Sequence, residues 1–139
     1  MNTQSDTTAS NVALIQSIYA AFGRGDMAFV AARVTATTTW DFCVSASEVP
    51  WHAPATGPEG VAAFLGSFMS EVTLTSFEPR HFIASGDDVM VHVALGYRVN
   101  RTQRTVSEDQ IHWWTLRAGK VARLRHFEDT AQVIAAWAA

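Results

Sequence analysis

The residues best placed to do chemistry lie at the open end of a hairpin that the sequence predicts near the carboxyl terminus. A two-residue turn at Ala118-Gly119 would place Asp109 opposite Glu128. The same register would place Ile111 opposite His126. A carboxylate that faces another carboxylate, or that lies beside apolar side chains, has a raised pKa suited to general acid or base catalysis. His126 and Glu128 are therefore predicted catalytic residues.

The sequence leaves the role of these residues open. In a structural interpretation, Glu128 lies at a solvated strand end, and His126 is half-buried and hydrogen-bonded to a neighbour. The hairpin register is fixed only to within one residue, so the sequence does not decide which of these side chains is buried.

Each face of the predicted hairpin carries one tryptophan, so neither face is expected to meet open water over its whole length. The face expected to line a cavity carries Ile111, Trp113 and Leu124, and the face expected to meet a second subunit carries His112, Trp114 and Phe127. Trp113, and not Trp114, is therefore predicted to line the cavity.

Hydrophobic periodicity predicts the elements that position these residues. Apolar residues at helical spacing indicate a helix from Ser10 to Gly23 and a shorter helix over about 27–35. Residues 37–44 alternate as a strand does, and Gly57-Pro58 opens a third helix. The period then changes to two, which predicts strands near 73–84, 88–99, 104–117 and 120–128, followed by a short amphipathic segment from Thr130 to Trp137.

This order of elements predicts an α+β fold, with three N-terminal helices packed on a mainly antiparallel sheet. The 139 residues suit one domain over residues 10–139, and residues 1–9, which have almost nothing to bury, are predicted to be a disordered tail. A formal charge of −3 without a basic stripe disfavours nucleic acid as a partner. A leader segment and a long apolar run are both missing and Cys43 is the single cysteine, so a cytoplasmic protein with no membrane contact is expected.

No metal or cofactor is expected from the motifs. The five histidines lack paired ligand spacing, and the sequence contains neither a Gly-rich phosphate loop nor a Gly-x-Ser-x-Gly segment. His52 and Trp51 lie in a proline-rich loop, where they could line the mouth of a pocket. An exposed surface histidine is the alternative interpretation of His52.

Three segments of the chain carry a family pattern. They are residues 15–22 followed by Gly25-Asp26, residues 57–64, and residues 118–121 together with 127–130. In this order they resemble the superfamily that joins ketosteroid isomerase, scytalone dehydratase and nuclear transport factor 2, and most closely its SnoaL-like polyketide cyclase branch. The resemblance implies a cone-shaped fold, in which a strongly curved sheet wraps three helices around a deep apolar cavity, and a homodimer formed through the outer sheet face.

The resemblance also implies roles for individual residues. Asp41 falls near the aspartate base of ketosteroid isomerases, but Ile18 and Ile111 stand where their two oxyanion donors would be, so steroid isomerisation is not expected. In the cyclase branch an acidic residue near the end of the last strand is the acid/base, and His126, Glu128 or Asp129 could fill that role. The buried ionisable group is therefore one of these three residues or Asp41. The residues expected to bind substrate are Tyr19, Trp40, Trp51, Phe64, Ile111, Trp113 and Leu124.

Three functions are compatible with these residues and with the resemblance. The first is a cofactor-free isomerase or cyclase that abstracts a proton next to a carbonyl group of a hydrophobic cyclic substrate. The second is a binding protein that holds a small hydrophobic molecule without chemistry, and the third is a protein interaction module that uses the sheet face. An ionisable group in the cavity would favour the first, and an entirely apolar cavity would favour the second.

Overall fold

The computed structural model describes residues 3–138, and within them helices pack on one face of a six-stranded sheet. The helices are α1 (Thr3–Gly23), α2 (Met27–Ala31), α3 (Gly57–Glu71) and α4 (Thr130–Ala138). The strands are β1 (Val34–Asp41), β2 (Ala55–Thr56), β3 (Val72–Ser85), β4 (Asp88–Val99), β5 (Thr105–Arg117) and β6 (Lys120–Phe127). The predicted α+β fold is confirmed.

The sheet is open and mixed, with strand order β2-β1-β6-β5-β4-β3. Strands β3 to β6 pair with their neighbours in antiparallel fashion, whereas β1 runs parallel to β6. The four long strands lie close to their predicted positions, because turn residues and a clear alternation mark each of them. The chain between β1 and β2 is a loop that contains a turn of 3-10 helix at Pro50–His52.

Three element boundaries differ from the sequence-based expectation. Helix α1 begins at Thr3, so Ser10 lies inside the helix and does not cap it. Asn11 of this helix donates from its side-chain amide to the main-chain oxygen of Gly86, which ties α1 to the turn between β3 and β4. The predicted tail overlaps α1 from residue 3 onward, and its disorder stays a prediction. Helix α2 ends earlier than expected, at Ala31, and β1 covers 34–41 rather than 37–44.

A β-bulge in β6 decides which side chains face the helices. Leu116 pairs with Val121 as predicted, but Thr115 pairs with Arg123, which leaves Ala122 as an extra residue. Every pair beyond the bulge is shifted by one residue relative to an uninterrupted hairpin. The predicted pairing of the hairpin is therefore wrong from this point to its open end.

Because of this shift, Trp113 and Trp114 of β5 pair with different residues of β6 than expected, and the two pairs lie on opposite faces of the sheet. Trp114 pairs with Leu124 on the inner face, where both side chains are buried. Trp113 pairs with Arg125 on the outer face, where the guanidinium carbon lies 4.1 Å from the centre of the indole ring. Because side chains alternate along a strand, a one-residue slip exchanges the two faces of β5 relative to β6.

Strand β1 has an irregularity beside this bulge. Its pairing with β6 shifts between Val34 and Thr39. The buried Thr38 hydroxyl accepts a hydrogen bond from the Thr35 N–H at 2.8 Å and donates one to the Val121 main-chain oxygen at 2.5 Å. One side chain thus satisfies two main-chain groups where regular pairing is interrupted.

Candidate functional site

An apolar cavity of about 70 Å³ lies between the helices and the inner face of the sheet. Its apolar and aromatic lining residues are Ile18, Tyr19, Phe22, Val30, Trp40, Phe42, Phe64, Leu65, Phe68, Phe77, Leu95, Trp114 and Leu124. Gln110, His112 and His126 complete the lining. Polar side chains in such a wall need partners, so their hydrogen bonds show what chemistry the cavity can do.

His126 is held in one neutral tautomer. Its Nδ1 lies 3.2 Å from the main-chain oxygen of Asp41, and a carbonyl oxygen can only accept, so Nδ1 carries the hydrogen. The ring stacks on Phe42 with 4.1 Å between the ring centres. Burial lowers the pKa of His126 from 6.5 to about 4. At neutral pH the Nε2 atom therefore has a lone pair, and no side chain or main-chain group among the described residues hydrogen-bonds to it.

His112 is fixed in the opposite tautomer by Gln110. The Gln110 amide nitrogen donates to two carboxylates, so its Oε1 faces Nε2 of His112, at 2.7 Å, and accepts a hydrogen bond from it. Nδ1 of His112 is then the acceptor for the Tyr19 hydroxyl at 2.6 Å. Burial, and secondarily His126, holds the pKa of His112 well below its ordinary value, so this ring is neutral as well.

The Tyr19 hydroxyl is engaged on both sides. It donates to Nδ1 of His112 and accepts from Nε1 of Trp114 at 3.0 Å. Burial raises the pKa of Tyr19 above its ordinary value, so the group stays protonated. Its only hydrogen therefore points to His112 and is not available to a ligand unless that bond breaks.

A carboxylate cluster, made of Glu108 and Glu128, lies behind Gln110. The Gln110 amide nitrogen donates to Glu108 Oε1 at 2.8 Å and to Glu128 Oε2 at 3.3 Å. The Asp129 N–H donates to the second Glu108 oxygen at 3.0 Å. Burial, and secondarily the neighbouring Glu128, raises the pKa of Glu108 to about 7.

His52 completes the carboxylate cluster from the loop between β1 and β2. Its Nε2 lies 2.5 Å from Glu128 Oε1, and the two side chains are 2% and 1% exposed. Its Nδ1 lies 2.8 Å from the Ser47 hydroxyl of the same loop. His52 therefore anchors the loop to the sheet, which corrects both the exposed position and the pocket-mouth position considered from the sequence.

Comparison with known proteins places this architecture in a family. The SnoaL-like domain matches residues 15–124, which is most of the chain. The chain belongs to the SnoaL-like family. No curated protein matches the sequence.

Solved structures share the fold of this SnoaL-like protein. An NTF2-like protein from Burkholderia xenovorans LB400 is 30% identical, with a TM-score of 0.83 over 93% of this chain and 96% of that one. A protein assigned as a SnoaL-like polyketide cyclase from Mesorhizobium loti is 14% identical, with a TM-score of 0.69 over 83% and 96%. An LEH-like epoxide hydrolase from M. tuberculosis is 13% identical, with a TM-score of 0.70 over 90% and 86%. These neighbours match the predicted cone-like fold. The last two, at 14% and 13% identity, are evidence for the fold and not for a shared function.

The three predicted catalytic residues of this SnoaL-like protein lie in three different places. His126 is on the cavity wall, and Glu128 lies behind the wall, beyond Gln110. The Asp41 carboxylate is outside the cavity, where it accepts a hydrogen bond from the Cys43 N–H at 2.5 Å. The alternation of β1 explains this, because Trp40 faces inward and its neighbour Asp41 must face outward.

Four of the seven residues expected to bind substrate line the cavity, namely Tyr19, Trp40, Phe64 and Leu124. Ile111 and Trp113 are on the outer face of the sheet, since the bulge at Ala122 shifts the register; Ile111 is 41% exposed. Trp51 is buried between Phe68, Tyr97 and Trp137 and belongs to the core.

Three site residues, Glu108, Gln110 and His112, were not predicted from the sequence. These three residues and Trp114 are every second residue of β5, so their side chains lie on the same face of the sheet. Knowing that any one of them faces inward would have predicted that the other three do as well. Within residues 3–138, no group of three or more histidine, cysteine or acidic side chains could hold a metal ion. None of the helices described is both long and apolar enough to cross a membrane.

Proposed function

We propose that this SnoaL-like protein moves a proton at a carbon atom next to a carbonyl group of a small hydrophobic cyclic substrate, as an isomerase or cyclase that needs no cofactor. The state of His126 carries this proposal. Its Nδ1–H is held by the Asp41 carbonyl, and its Nε2 is left without a partner on the wall of an apolar cavity. Family membership, and the fold shared with the Mesorhizobium loti protein, support the reaction class.

In the proposed step, Nε2 of His126 takes a proton from the carbon next to the carbonyl group. The electrons of the broken C–H bond form a carbon–carbon double bond, and the carbonyl π electrons move to oxygen to give an enolate. Where the substrate has a carbon–carbon double bond conjugated with this enolate, return of the proton to the far carbon of that system gives an isomer. Where it has a second carbonyl group, attack of the enolate carbon on that carbonyl carbon closes a ring, and the proton goes to the new alkoxide. The Asp41 carbonyl stabilises the imidazolium by accepting its Nδ1–H.

Exchange of hydrogen for deuterium tests this step without knowledge of the natural substrate. Cyclopentanone in D₂O, followed by proton NMR, should lose its α-hydrogen signals faster with the protein than with buffer. His126→Gln keeps a donor for Asp41 but lacks the base, so it should return the rate to that of buffer. His92→Gln, on the outer face of the sheet, is the matched control and should keep the rate. Equal rates for the protein and for His126→Gln would refute the proposal.

Binding of a small hydrophobic molecule without chemistry is the alternative function. One observation favours it: Tyr19 and His112 hydrogen-bond to each other, so among the described residues of the wall only His126 has a ring nitrogen that is free to accept a proton. Saturable binding of cyclopentanone without faster exchange would support this alternative.

We also propose a homodimer formed through the outer face of the sheet. Met90, Ile111 and Phe127 are large apolar side chains exposed on this face, and Ile111 pairs with Phe127. The face also carries both signs of charge, from Asp109 and Arg125, as a two-fold contact of one surface with itself requires.

The register shift changes the composition of this proposed interface. His112 and Trp114, which were expected on the outer face, are buried on the inner face, so Phe127 is the one member of that predicted trio that stays outside. Sedimentation should give about twice the monomer mass, and Ile111→Asp should give the monomer mass. A monomer at micromolar concentration would exclude this interface.

A further inference from the structure

The wall of the cavity includes a tryptophan whose buried hydrogen-bond donor has no acceptor among the described residues. Trp40 is 4% exposed and lines the cavity, and its Nε1 has no partner within the described residues. Its ring centre lies 5.9 Å from that of His126, whose Nε2 lacks a partner too. A buried polar atom without a partner costs stability, so an unpaired donor and an unpaired acceptor on neighbouring rings of the same wall indicate a ligand that pairs with both.

The charges around the cavity limit what this ligand can be. The lining as described contains none of the four charged residue types. The carboxylates of Glu108 and Glu128 lie behind Gln110, and the Asp41 carboxylate acts on His126 from outside the cavity. An anion in the cavity would have no cation to pair with and would be repelled by these carboxylates. A cation would meet only neutral rings, because His112 and His126 are uncharged at neutral pH and the carboxylate oxygens already accept hydrogen bonds.

The size of the cavity limits how much of the ligand is enclosed. Its volume of about 70 Å³ is roughly half that of an apolar protein cavity known to hold benzene, about 150 Å³. Phe22, Phe64 and Phe77 of the lining are half-buried, so the cavity approaches the surface beside them. The enclosed part of the ligand is therefore a polar group with its adjacent carbon atoms, and the remainder extends past these phenylalanines.

We propose that the cavity binds an uncharged molecule through a single oxygen function, a carbonyl or hydroxyl group, that accepts a hydrogen bond from Nε1 of Trp40. The same function presents its hydroxyl hydrogen, or the acidic hydrogen on the neighbouring carbon, to Nε2 of His126. Carboxylic acids and amines are excluded. This inference rests on the proposed function, since it names the substrate class of the same cavity, but it holds for binding whether or not a reaction follows.

Four five-membered-ring probes test the proposal. Cyclopentanone carries the oxygen function, methylenecyclopentane has the same shape without it, and cyclopentanecarboxylate and cyclopentylammonium add a negative or a positive charge. Titration at pH 7.5 should give cyclopentanone an affinity about fivefold to tenfold above that of methylenecyclopentane, as one hydrogen bond provides. Both ions should bind at least about tenfold more weakly than the ketone.

The indole N–H signals in a nitrogen-15 NMR spectrum locate the bound oxygen. The Trp40 signal, assigned by its loss in Trp40→Phe, should move downfield as cyclopentanone binds. The Trp113 N–H, which donates to Asp88 on the outer face at 3.0 Å, is an internal control and should not move. In Trp40→Phe the preference for the ketone over methylenecyclopentane should disappear.

The outcomes separate this inference from the catalytic proposal. Binding of the ketone with the Trp40 shift but without deuterium exchange supports the inference and contradicts catalysis. Exchange at His126 without a Trp40 shift supports catalysis and overturns the inference. Equal affinity for the ketone and the hydrocarbon, binding of the carboxylate as tight as that of the ketone, or no binding of any probe would each overturn it as well.

Discussion

The cavity wall and the carboxylate cluster behind it are both buried and polar, and both contact Gln110, yet their hydrogen bonding differs. In the cluster, Glu128 accepts from Gln110 and pairs with His52. On the wall, Nε2 of His126 and Nε1 of Trp40 have no partner among the described residues. Burial of polar groups alone therefore does not mark a site. A missing partner alone does not mark one either, since the buried Tyr97 hydroxyl has none among the described residues and does not line the cavity; the wall combines missing partners with open space.

The two regions also differ in how burial acts on charge. Burial lowers the pKa of His126, which keeps a base in its neutral form, and raises the pKa of Glu108, which favours a neutral acid. Gln110 separates them, because its amide nitrogen serves the carboxylates and its amide oxygen serves His112. The cluster joins the loop between β1 and β2 to β5 through His52, Glu128 and Gln110, whereas the wall is the part suited to recognise a ligand.

The largest effect is expected from breaking the buried pair of the cluster. Glu128→Ala leaves His52 buried without its partner and should lower the free energy of unfolding by about 3 to 5 kcal/mol, measured by urea denaturation. The control is Glu78→Ala, which breaks an exposed ion pair, with Arg80 Nη2 and Glu78 Oε2 2.8 Å apart and Glu78 59% exposed. The control should change stability by less than about 1 kcal/mol. Equal losses would contradict the structural role of the cluster.

The pH dependence of stability should have opposite signs in the two regions. The folded pKa of His126 is about 4 and its ordinary value is 6.5, so the unfolded chain takes up this proton first and stability falls as pH drops from 6.5 toward 4, by up to about 3 kcal/mol. The folded pKa of Glu108 is about 7 and its ordinary value is 4.5, so the folded chain keeps a proton that the unfolded chain releases, and stability falls as pH rises from 4.5 through 7.

Two variants separate these opposing contributions in urea denaturation from pH 4 to pH 8. Relative to the unmodified protein, His126→Gln should gain stability as the pH is lowered below 6.5. Glu108→Gln should gain stability as the pH is raised above 4.5. If the free energy of unfolding changed with pH in both variants as it does in the unmodified protein, neither His126 nor Glu108 would be buried as described.

A smaller effect is expected at the residue that joins the two regions. Gln110→Leu leaves the Nε2–H of His112 without an acceptor and removes one donor from each carboxylate, so it should cost about 1 to 3 kcal/mol. Nitrogen-15 NMR of His112 should also show a changed tautomer population. Gln132→Leu on the exposed surface of α4 is the control, and His112 should keep its tautomer there. An unchanged His112 tautomer in Gln110→Leu would refute the positioning role of this amide.

The smallest effect distinguishes the two tryptophans of β5. Trp114→Phe alters the cavity lining and removes the donor to Tyr19, so it should weaken binding of an apolar fluorescent dye several-fold. Trp113→Phe, on the outer face, should leave the dye affinity unchanged. If Trp113→Phe weakened dye binding and Trp114→Phe did not, the hairpin register without a bulge would be correct and the register described above would be wrong.

Local signals explain how much of the fold could be predicted. Strands β3 to β6 combine alternating residues with turn signals at Asp87-Asp88 and Ala118-Gly119, and their observed bounds follow the predicted ones closely. Helix α3 begins at the predicted Gly57, because glycine and proline open the helix there. The alternation of β1 also placed Trp40 and Asp41 correctly on opposite faces.

The site was predicted only in part, since its assembly depends on one bulge and one loop. His126 and Glu128 could be recognised from residue type and spacing, and both are buried. Their neighbours on β5 could not be recognised, because the alternation of residues in β6 gives no sign that Ala122 is an extra residue in the pairing. Burial of His52 depends on Glu128, which is 76 residues away in the chain.

Periodicity and turn chemistry act over a few neighbouring residues, so the amino-acid order was enough to specify the type and succession of the elements, the inward face of β1 and the ionisable residues at the end of β6. The register of β5 on β6 could be known only from the folded chain. Beside the bulge, Thr38 of β1 satisfies Thr35 and Val121 where the pairing of β1 with β6 is interrupted, a contact between strands far apart in sequence. The same long-range packing turns Trp114 and His112, rather than Trp113 and Ile111, toward the cavity.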